Sequence, residues 1–359
     1  MIKRTKKFFH LMAFFLLFIS CSNTMDPTDL PDPEVIFVRA GDDPRAVCVN
    51  STTNKIYVAN ENSDNVMVID GETNDTTTIA VGDDPRAICV NSTTNKIYVA
   101  NYDSDDVTVI DGETNNTTTV AAGDAPYVIC VNPITNKIYV ANYFDDNVTV
   151  IDGATNNTTT VAAGNDPRSM CVNSNTNKIY VANYYDDNVT VIDGATNDTT
   201  TVAAGDGPEA ICVNQSTNKI YVANSGSGNV TVIDGATNST VTIATEIDAR
   251  AICVNPNTNK IYVVNVYGSN VTVIDGETNS TTTVAVGQNP WLVGVNPNIN
   301  KIYIVDSENV TVMDGASYST STVAVPYGSH AICVDSAANK VYVTNRSKDN
   351  VAILYYPED

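Results

Sequence analysis

The sequence predicts an all-β chain folded as a single β-propeller of eight four-stranded blades. Three observations predict it. A unit of about 41 residues is written over and over, marked by Cys48, Cys89, Cys130, Cys171, Cys212 and Cys253, each 41 positions after the last. Repeats of this period belong to solenoids, propellers and arrays. Within each unit, short β-branched runs alternate with Asn, Asp, Gly and Thr clusters, and no apolar stripe of helical period appears. The unit also has room for four strands, the number in one propeller blade.

The copy from Gly82 to Ala122 shows the elements in order. Arg86–Asn91, Lys96–Asn101, Val107–Asp111 and Thr117–Ala121 read as strands one to four. Asp111-Gly112 closes the third strand as a turn signal, because Asp and Gly accept the backbone angles that turns require. The same dipeptide recurs as Asp70-Gly71, Asp152-Gly153 and Asp193-Gly194. The recurring Asn-Lys before strand two is expected to place a salt bridge to that Asp.

Gly294 takes the seventh Cys position, and Cys333 follows 39 residues later because the Asp306–Asn309 loop is two residues short. Strands one to three therefore occur eight times, with units starting near 41, 82, 123, 164, 205, 246, 287 and 326. A fourth strand follows only seven of them. The eighth unit ends at Val351–Leu354, while an orphan strand, Val35–Ala40, precedes the first unit. The N-terminal strand is expected to complete the last blade, which ties the ring shut and removes an exposed sheet edge. Eight is the direct count; a seven-bladed ring with one copy excluded is the alternative.

Residues 1–20 carry the cluster Lys3-Arg4-Thr5-Lys6-Lys7 and then an apolar run from Phe8 to Ile19. The run is too short to span a bilayer and has the layout of a secretory signal peptide. It ends at Phe18-Ile19-Ser20-Cys21, which resembles a bacterial lipobox, although the usual Leu lies one place early at Leu17. Lipidation of Cys21 is the expectation, and plain cleavage with soluble export the alternative. Residues 21–33 would be a Pro-rich tether, and 34–356 the propeller. The expected location is the cell envelope, at the outer membrane or cell surface, with the membrane touched only through the lipid anchor.

The formal charge is −22, and loss of the four cations in residues 1–20 would take it to −26. Such a surface repels phosphate backbones, so nucleic acid is excluded as a partner, and it favours a soluble monomer.

The motifs Lys-Ile-Tyr-Val-Ala-Asn, Asn-Val-Thr-Val-Ile-Asp and Ala-Thr-Asn, in that order, resemble the YVTN family of β-propeller repeats. The resemblance covers about residues 34–356. It implies a propeller of the kind found in archaeal surface-layer and bacterial envelope proteins, with a binding, adhesive or structural role. Related propellers include lactonases and haem-d1 proteins, which supply an enzymatic alternative.

Residues present in every copy read as scaffold. Tyr57, Tyr98, Tyr139, Tyr180, Tyr221, Tyr262, Tyr303 and Tyr342 are expected to pack between blades, each hydroxyl finding a backbone partner. The strand-one cysteines are expected to be reduced and buried, because sheets about 10 Å apart do not bring Cα atoms within disulfide reach. The Asn-Thr-Thr and Asn-Val-Thr sequons read as Thr-rich outer strands rather than glycosylation sites.

Residues that differ between copies are the functional candidates. Two loops per blade open on one face, called here the upper face: the loop before strand one and the loop between strands two and three. The first supplies Arg45, Arg86, Tyr127, Arg168, Glu209, Arg250, Trp291 and His330, expected to ring the mouth of the central channel. The second supplies Tyr102, Tyr143, Phe144, Tyr184, Tyr185 and Tyr267, with Asp103, Asp105, Asp106, Asp145, Asp146, Asp186 and Asp187 beside them. Aromatic faces stack on sugars or protein side chains, and Arg adds bidentate contacts. These fourteen cationic, acidic and aromatic residues are the candidate site for a surface protein or glycan. No cofactor is expected. Ca²⁺ held by the Asp clusters is an alternative without a fixed ligand spacing.

An enzyme needs a converging acid, base or nucleophile. Outside the signal segment the chain has one His, His330, and it carries no Gly-x-Ser-x-Gly elbow, His-Glu-x-x-His or phosphate loop. A non-catalytic binding module is the leading reading. A lactonase-like or lyase-like enzyme using His330 and Glu209, and a structural surface-layer component, are the alternatives.

Overall fold

Each repeat folds as four antiparallel strands at nearly the expected boundaries. In the second unit these are Pro85–Asn91, Lys96–Asn101, Asp106–Asp111 and Thr117–Ala121. The structure is a computed structural model that describes residues 32–356. The signal segment, Cys21 and most of the tether lie outside the described residues. Eight such sheets form, numbered here as blades 1–8 in chain order. Their first strands are Pro44–Asn50, Pro85–Asn91, Pro126–Asn132, Pro167–Asn173, Pro208–Asn214, Ala249–Asn255, Leu292–Asn296 and Ser329–Asp335. Each first strand packs on the next, and the eighth returns to the first, so the ring is closed around a central channel.

Closure follows the expected route. Glu34–Arg39 pairs antiparallel with Asn350–Tyr355, from Glu34 opposite Tyr355 to Arg39 opposite Asn350. It is the outer strand of blade 8, laid down by the start of the chain. The Ala40 N–H donates to the Asp349 carbonyl at 2.8 Å, and Arg346 of blade 8 pairs with Asp43 and, at 2.9 Å, with Glu61 of blade 1.

The core lies between blades. Tyr57 and Ala59 of blade 1 pack against Ile88, Ile97 and Val99 of blade 2, while Ile56 and Val58 face Tyr342 and Val351 of blade 8. Both faces of the second strand are therefore covered, so Lys-Ile-Tyr-Val-Ala-Asn reads as a continuous apolar run rather than an alternation. The outer strands are the reverse: in Thr117–Ala121 the threonines are exposed and only Val120 is buried.

Three details differ from expectation. The recurring tyrosines are fully buried, but the hydroxyls of Tyr57, Tyr98, Tyr139, Tyr180, Tyr221, Tyr262 and Tyr342 take no hydrogen bond among the described residues. Only Tyr303 finds one, 3.1 Å from the Tyr356 hydroxyl. The ring sits between apolar sheets whose backbone groups are already paired, and burial pushes the Tyr98 hydroxyl up to about 12. Second, most of the recurring lysines bypass the Asp of their own blade and reach across. Lys55 Nζ donates to the Gly112 carbonyl at 3.0 Å and Lys96 to that of Gly153 at 2.8 Å. Only Lys260 and Lys301 take their own Asp275 and Asp314. Third, the seven described cysteines are free, as expected, but each is half-buried along the channel rather than sealed in the core. They are still enclosed by apolar strands, and that desolvation pushes the Cys89 thiol up to about 12, a value of an unreactive thiol.

Asp-Gly does make the turn. Asp111 Oδ1 accepts the N–H groups of Glu113 and Thr114, at 3.1 and 2.8 Å. A Cβ on Gly112 would stand 2.7 Å from the Asn95 carbonyl oxygen, so the close approach requires glycine.

Two outcomes are expected. Tyr98→Phe removes an unpartnered buried hydroxyl and should leave stability unchanged or raise it by about 1 kcal/mol, whereas Tyr98→Ala should cost about 3–5 kcal/mol, read as urea unfolding midpoints. A chain starting at Gly41 lacks the outer strand of blade 8 and should melt lower and self-associate, visible in calorimetry and light scattering; one starting at Pro33 should do neither.

Candidate functional site

The upper face is built on a repeated loop clasp. Two positions before Arg45 and its counterparts stand Asp43, Asp84, Ala125, Asp166, Gly207, Asp248, Asn289 and Gly328, and all eight have positive φ. Asp, Asn and Gly tolerate that conformation best, and Ala125 adopts it at φ 57° within the same frame. In every blade but the seventh, the carbonyl of this residue accepts an N–H from the second loop of its own blade, as in Tyr102 to Asp84 at 2.8 Å. In blades 1–5 its N–H donates to an Asp of the preceding blade, as in Asp166 to Asp146 Oδ1 at 3.0 Å.

This clasp occupies most of the acidic residues of the second loops. Asp105 and Asp187 accept the N–H groups of Ala125 and Gly207, Asp145 and Asp186 those of Asp124 and Asn165, and Asp106 the Asn101 amide. All but Asp106 are spent on backbone donors of separate loops. Among the described residues, no three His, Cys, Asp or Glu side chains converge to hold a metal ion.

The eight residues expected around the mouth, Arg45, Arg86, Tyr127, Arg168, Glu209, Arg250, Trp291 and His330, are not equivalent. Arg45 donates to Glu61 at 2.8 Å. Arg86 grips Asp84 through Nε and Nη2 at 3.0 and 2.7 Å, and its guanidinium lies 3.4 Å over the Tyr102 ring. Arg168 is held by Asp166 at 2.9 Å and Glu209 at 3.0 Å, and lies 3.6 Å over Tyr184. Arg250 is the loosest: its nearest carboxylate, Asp248, is 3.5 Å away, and its side chain is 48% exposed. The pairing follows the recurring Asp-x-Arg spacing, a signal legible in the sequence.

Aromatic residues gather on blades 2–4. Tyr102 meets Tyr127 and Phe144 at ring separations of 6.4 and 6.1 Å, and Tyr143 meets Tyr127 and Phe144 at 5.7 and 5.0 Å. Tyr185 packs on Tyr184 at 5.3 Å. Phe144, Tyr185 and Tyr267 remain largely exposed, and Ile247 and Tyr327 join them as exposed apolar residues of the first loops. These last two were missed, although both interrupt the Gly-Asp-x-Pro pattern. Glu61 and Arg346 were also missed; they stand where Tyr102, Tyr143 and Tyr184 stand in other blades.

Two cavities of the upper face, each of about 400 Å³, take in seven of the candidate residues. One lies at the channel mouth across blades 5–8, lined by Glu209, Ala210, Arg250, Ala251, Trp291, Leu292, Ser329 and His330. Here Trp291 Nε1 and Ser329 Oγ are buried without a hydrogen-bond partner among the described residues. The other lies at the rim between blades 3 and 4, lined by Tyr143, Phe144, Asp146, Asn165, Asp166 and Tyr185. Arg45, Arg86, Tyr102, Tyr127, Arg168, Tyr184 and Tyr267 line neither.

No family model matches the sequence, and no curated protein matches it. Among solved structures, the chain is similar to Sqt1 of Saccharomyces cerevisiae, with a TM-score of 0.77 and 10% identity over 92% of this chain and 100% of that one. It is similar to a chain of the hydrazine synthase of Kuenenia stuttgartiensis, with a TM-score of 0.62 and 18% identity over 94% of this chain and 99% of that one. At these identities the likeness shows the propeller fold alone.

His330 gives the mouth a pH response. Its Nδ1 lies 2.9 Å from the Arg45 carbonyl, so it donates there and leaves Nε2 as an acceptor. Burial, and then the Arg45 charge, hold its imidazole below the ordinary value. Its contribution to folding is fully present above about pH 6.5 and is lost as pH falls below that value, because the unfolded chain takes up the proton first. His330→Gln keeps a donor for Arg45 and removes the titration. The variant should lose less stability than the parent between about pH 7 and about pH 5.5, measured by urea midpoints.

Proposed function

We propose that the chain is a non-catalytic cell-envelope lipoprotein whose YVTN-type propeller is a binding scaffold, recognising a surface glycan or protein through its upper face. One observation carries the reading: variation between the copies collects on the upper face, where it builds two cavities, while the lower face repeats the same turns from blade to blade. A frame that holds one face constant and diversifies the other has the organisation of a recognition surface.

The channel mouth is the better place for a glycan. Trp291 and Leu292 give it an apolar wall, and exposed Arg250 a bidentate donor. His330 Nε2 adds an acceptor. Export and anchoring through Cys21 rest on the N-terminal sequence pattern. They put the upper face outside the cytoplasm, where glycans and surface proteins are the available ligands.

A second reading has one observation in its favour: Glu209 and His330 line the same mouth cavity, as a lactonase-like or lyase-like acid–base pair would. Against it, the Glu209 carboxylate holds Arg168 at 3.0 Å and His330 Nδ1 is engaged by Arg45.

The chain contains one tryptophan, and it stands in the mouth, so its emission reports on this cavity alone. Titration with a glycan panel should give a saturable change in Trp291 fluorescence. Arg250→Ala should weaken that binding about tenfold or more, the value of a charge-assisted contact. If no glycan or isolated envelope protein perturbs the emission, the mouth is not the binding site. Turnover of a lactone panel that disappears in His330→Ala would replace the binding reading with the enzymatic one.

A further inference from the structure

The rim cleft between blades 3 and 4 differs in chemistry from the channel mouth. Phe144 and Tyr185, on the second loops of adjacent blades, are 61% and 67% exposed and form its aromatic walls together with Tyr143. The rest of its lining is Asp146, Asn165 and Asp166. Those three offer acceptors. One Asn165 Nδ2–H donates to Asp186 Oδ1 at 2.7 Å, which leaves Oδ1 as an acceptor beside the second N–H. Asp146 Oδ1 accepts the Asp166 N–H, and its second oxygen takes no hydrogen bond among the described residues.

Asp166 is the second, independent observation. It is 4% exposed, its Oδ2 accepts from Arg168, and its Oδ1 has no hydrogen-bond partner among the described residues. A buried carboxylate oxygen left unpaired is costly, and a donor brought to it recovers that cost. No Lys, Arg or His is among the residues lining the cleft. Arg168 stands behind it over Tyr184, already neutralised by Asp166 and Glu209.

The site is particular to this pair of blades. In blade 2 the corresponding tyrosine, Tyr102, lies under Arg86, and blade 5 has Ser225 and Gly226 in place of the aromatic pair. Aromatic walls attract a cation by its charge, and unpaired carboxylate oxygens require N–H donors. A quaternary ammonium meets the first condition and fails the second.

We propose that this cleft binds a primary alkylammonium group, carried by a lysine side chain of a partner or by a free alkyl amine. A cavity of about 400 Å³ accommodates one such group with its alkyl stem along Phe144 and Tyr185. The proposal rests on the upper face being a binding surface and assigns a ligand class to its second cavity.

The test uses the full chain with Nα-acetyl-lysine methylamide, its Nε-acetylated analogue, tetramethylammonium, butylamine and a short lysine-containing peptide, followed by NMR shifts of the Phe144 and Tyr185 rings. Saturable binding of the lysine amide is expected, at least about tenfold tighter than the neutral analogue or tetramethylammonium, and weakening with added salt. Phe144→Ala with Tyr185→Ala, two exposed positions, should reduce it about tenfold without lowering the melting temperature. Binding of the peptide as well as the amide assigns the group to a protein partner; butylamine binding with exclusion of the peptide assigns it to a small amine. Equal binding of the acetylated analogue, preference for tetramethylammonium, indifference to the double substitution, or no saturable binding overturns the proposal. The two sites fail separately, because the double variant leaves the Trp291 response to glycans in place.

Discussion

The ring depends on one side-chain amide repeated around it. Asn50, at the end of a first strand, donates through Nδ2 to Asn95 Oδ1 of the next blade at 2.8 Å, while its own Oδ1 caps the following turn at the Thr52 N–H. Asn91 to Asn136, Asn132 to Asn177 and Asn173 to Asn218 repeat the contact at 2.8 Å each. Asn95 then accepts the Gly112 N–H on its carbonyl, and the Gly112 carbonyl accepts Lys55 from the first blade. A single loop of hydrogen bonds thus joins Asn, Asn, Gly and Lys across the five junctions from blade 1 to blade 6. The side-chain amide donates and accepts at once, which neither Asp nor Leu in its place would do. The donor Asn is fully buried, so losing either of its functions would leave a buried polar group unpaired.

The ring's one seam confirms the logic by inverting it. Blade 8 carries Asp335 where the other blades carry Asn, and a carboxylate cannot donate. The donor moves to the other side: Ser51 of blade 1 gives its hydroxyl hydrogen to Asp335 Oδ1 at 3.0 Å. Lys340 still reaches the Gly71 carbonyl, so the lower face stays stitched. Lys301 has no such acceptor, because the third strand of blade 8 runs to Tyr355 without an Asp-Gly turn, and it falls back on Asp314 of its own blade. On the upper side, Arg346 clasps Asp43 and Glu61. The seam is where chain ends meet, and it is closed by charge as well as by the N-terminal strand.

Strand positions, blade count and closure were legible because each is fixed by a periodic requirement. A run covered on both faces must be apolar, a turn needs Asp-Gly, and a missing strand must come from somewhere. Partner choice was not legible. Whether Lys55 meets Asp70 or Gly112 depends on the offset between neighbouring blades, which no spacing within one repeat encodes. The tyrosine hydroxyls went the same way: Tyr98 repeats because the gap between sheets needs a large flat side chain, and the position carries no information about a partner. In the candidate site, the residue types and the face were readable from copy-to-copy variation. The split of the Arg ring was half-readable: Asp84 before Arg86 and Asp166 before Arg168 announce their ion pairs, but only the geometry shows that Asp248 leaves Arg250 loose.

That split explains how a nearly symmetric ring acquires two unlike cavities. Blades 1, 2 and 4 carry Asp-x-Arg and blades 2–4 carry second-loop aromatics, so the Arg45, Arg86 and Arg168 guanidinium groups are consumed by carboxylates and by the Tyr102 and Tyr184 rings. What remains open between blades 3 and 4 is aromatic surface and surplus carboxylate, a combination that attracts cations. Blades 5–8 lose those partners one at a time. Gly207 replaces the Asp beside Glu209, Ser225 and Val266 replace the stacking tyrosine, and Trp291 and His330 replace Arg. The mouth on that side is left with a loosely held cation and an indole instead of a closed ion-pair network. Each substitution is small, and none touches the Asn ladder beneath. The lower face holds the ring at fixed geometry, so the upper loops are free to exchange paired charge for open, chemically distinct surface.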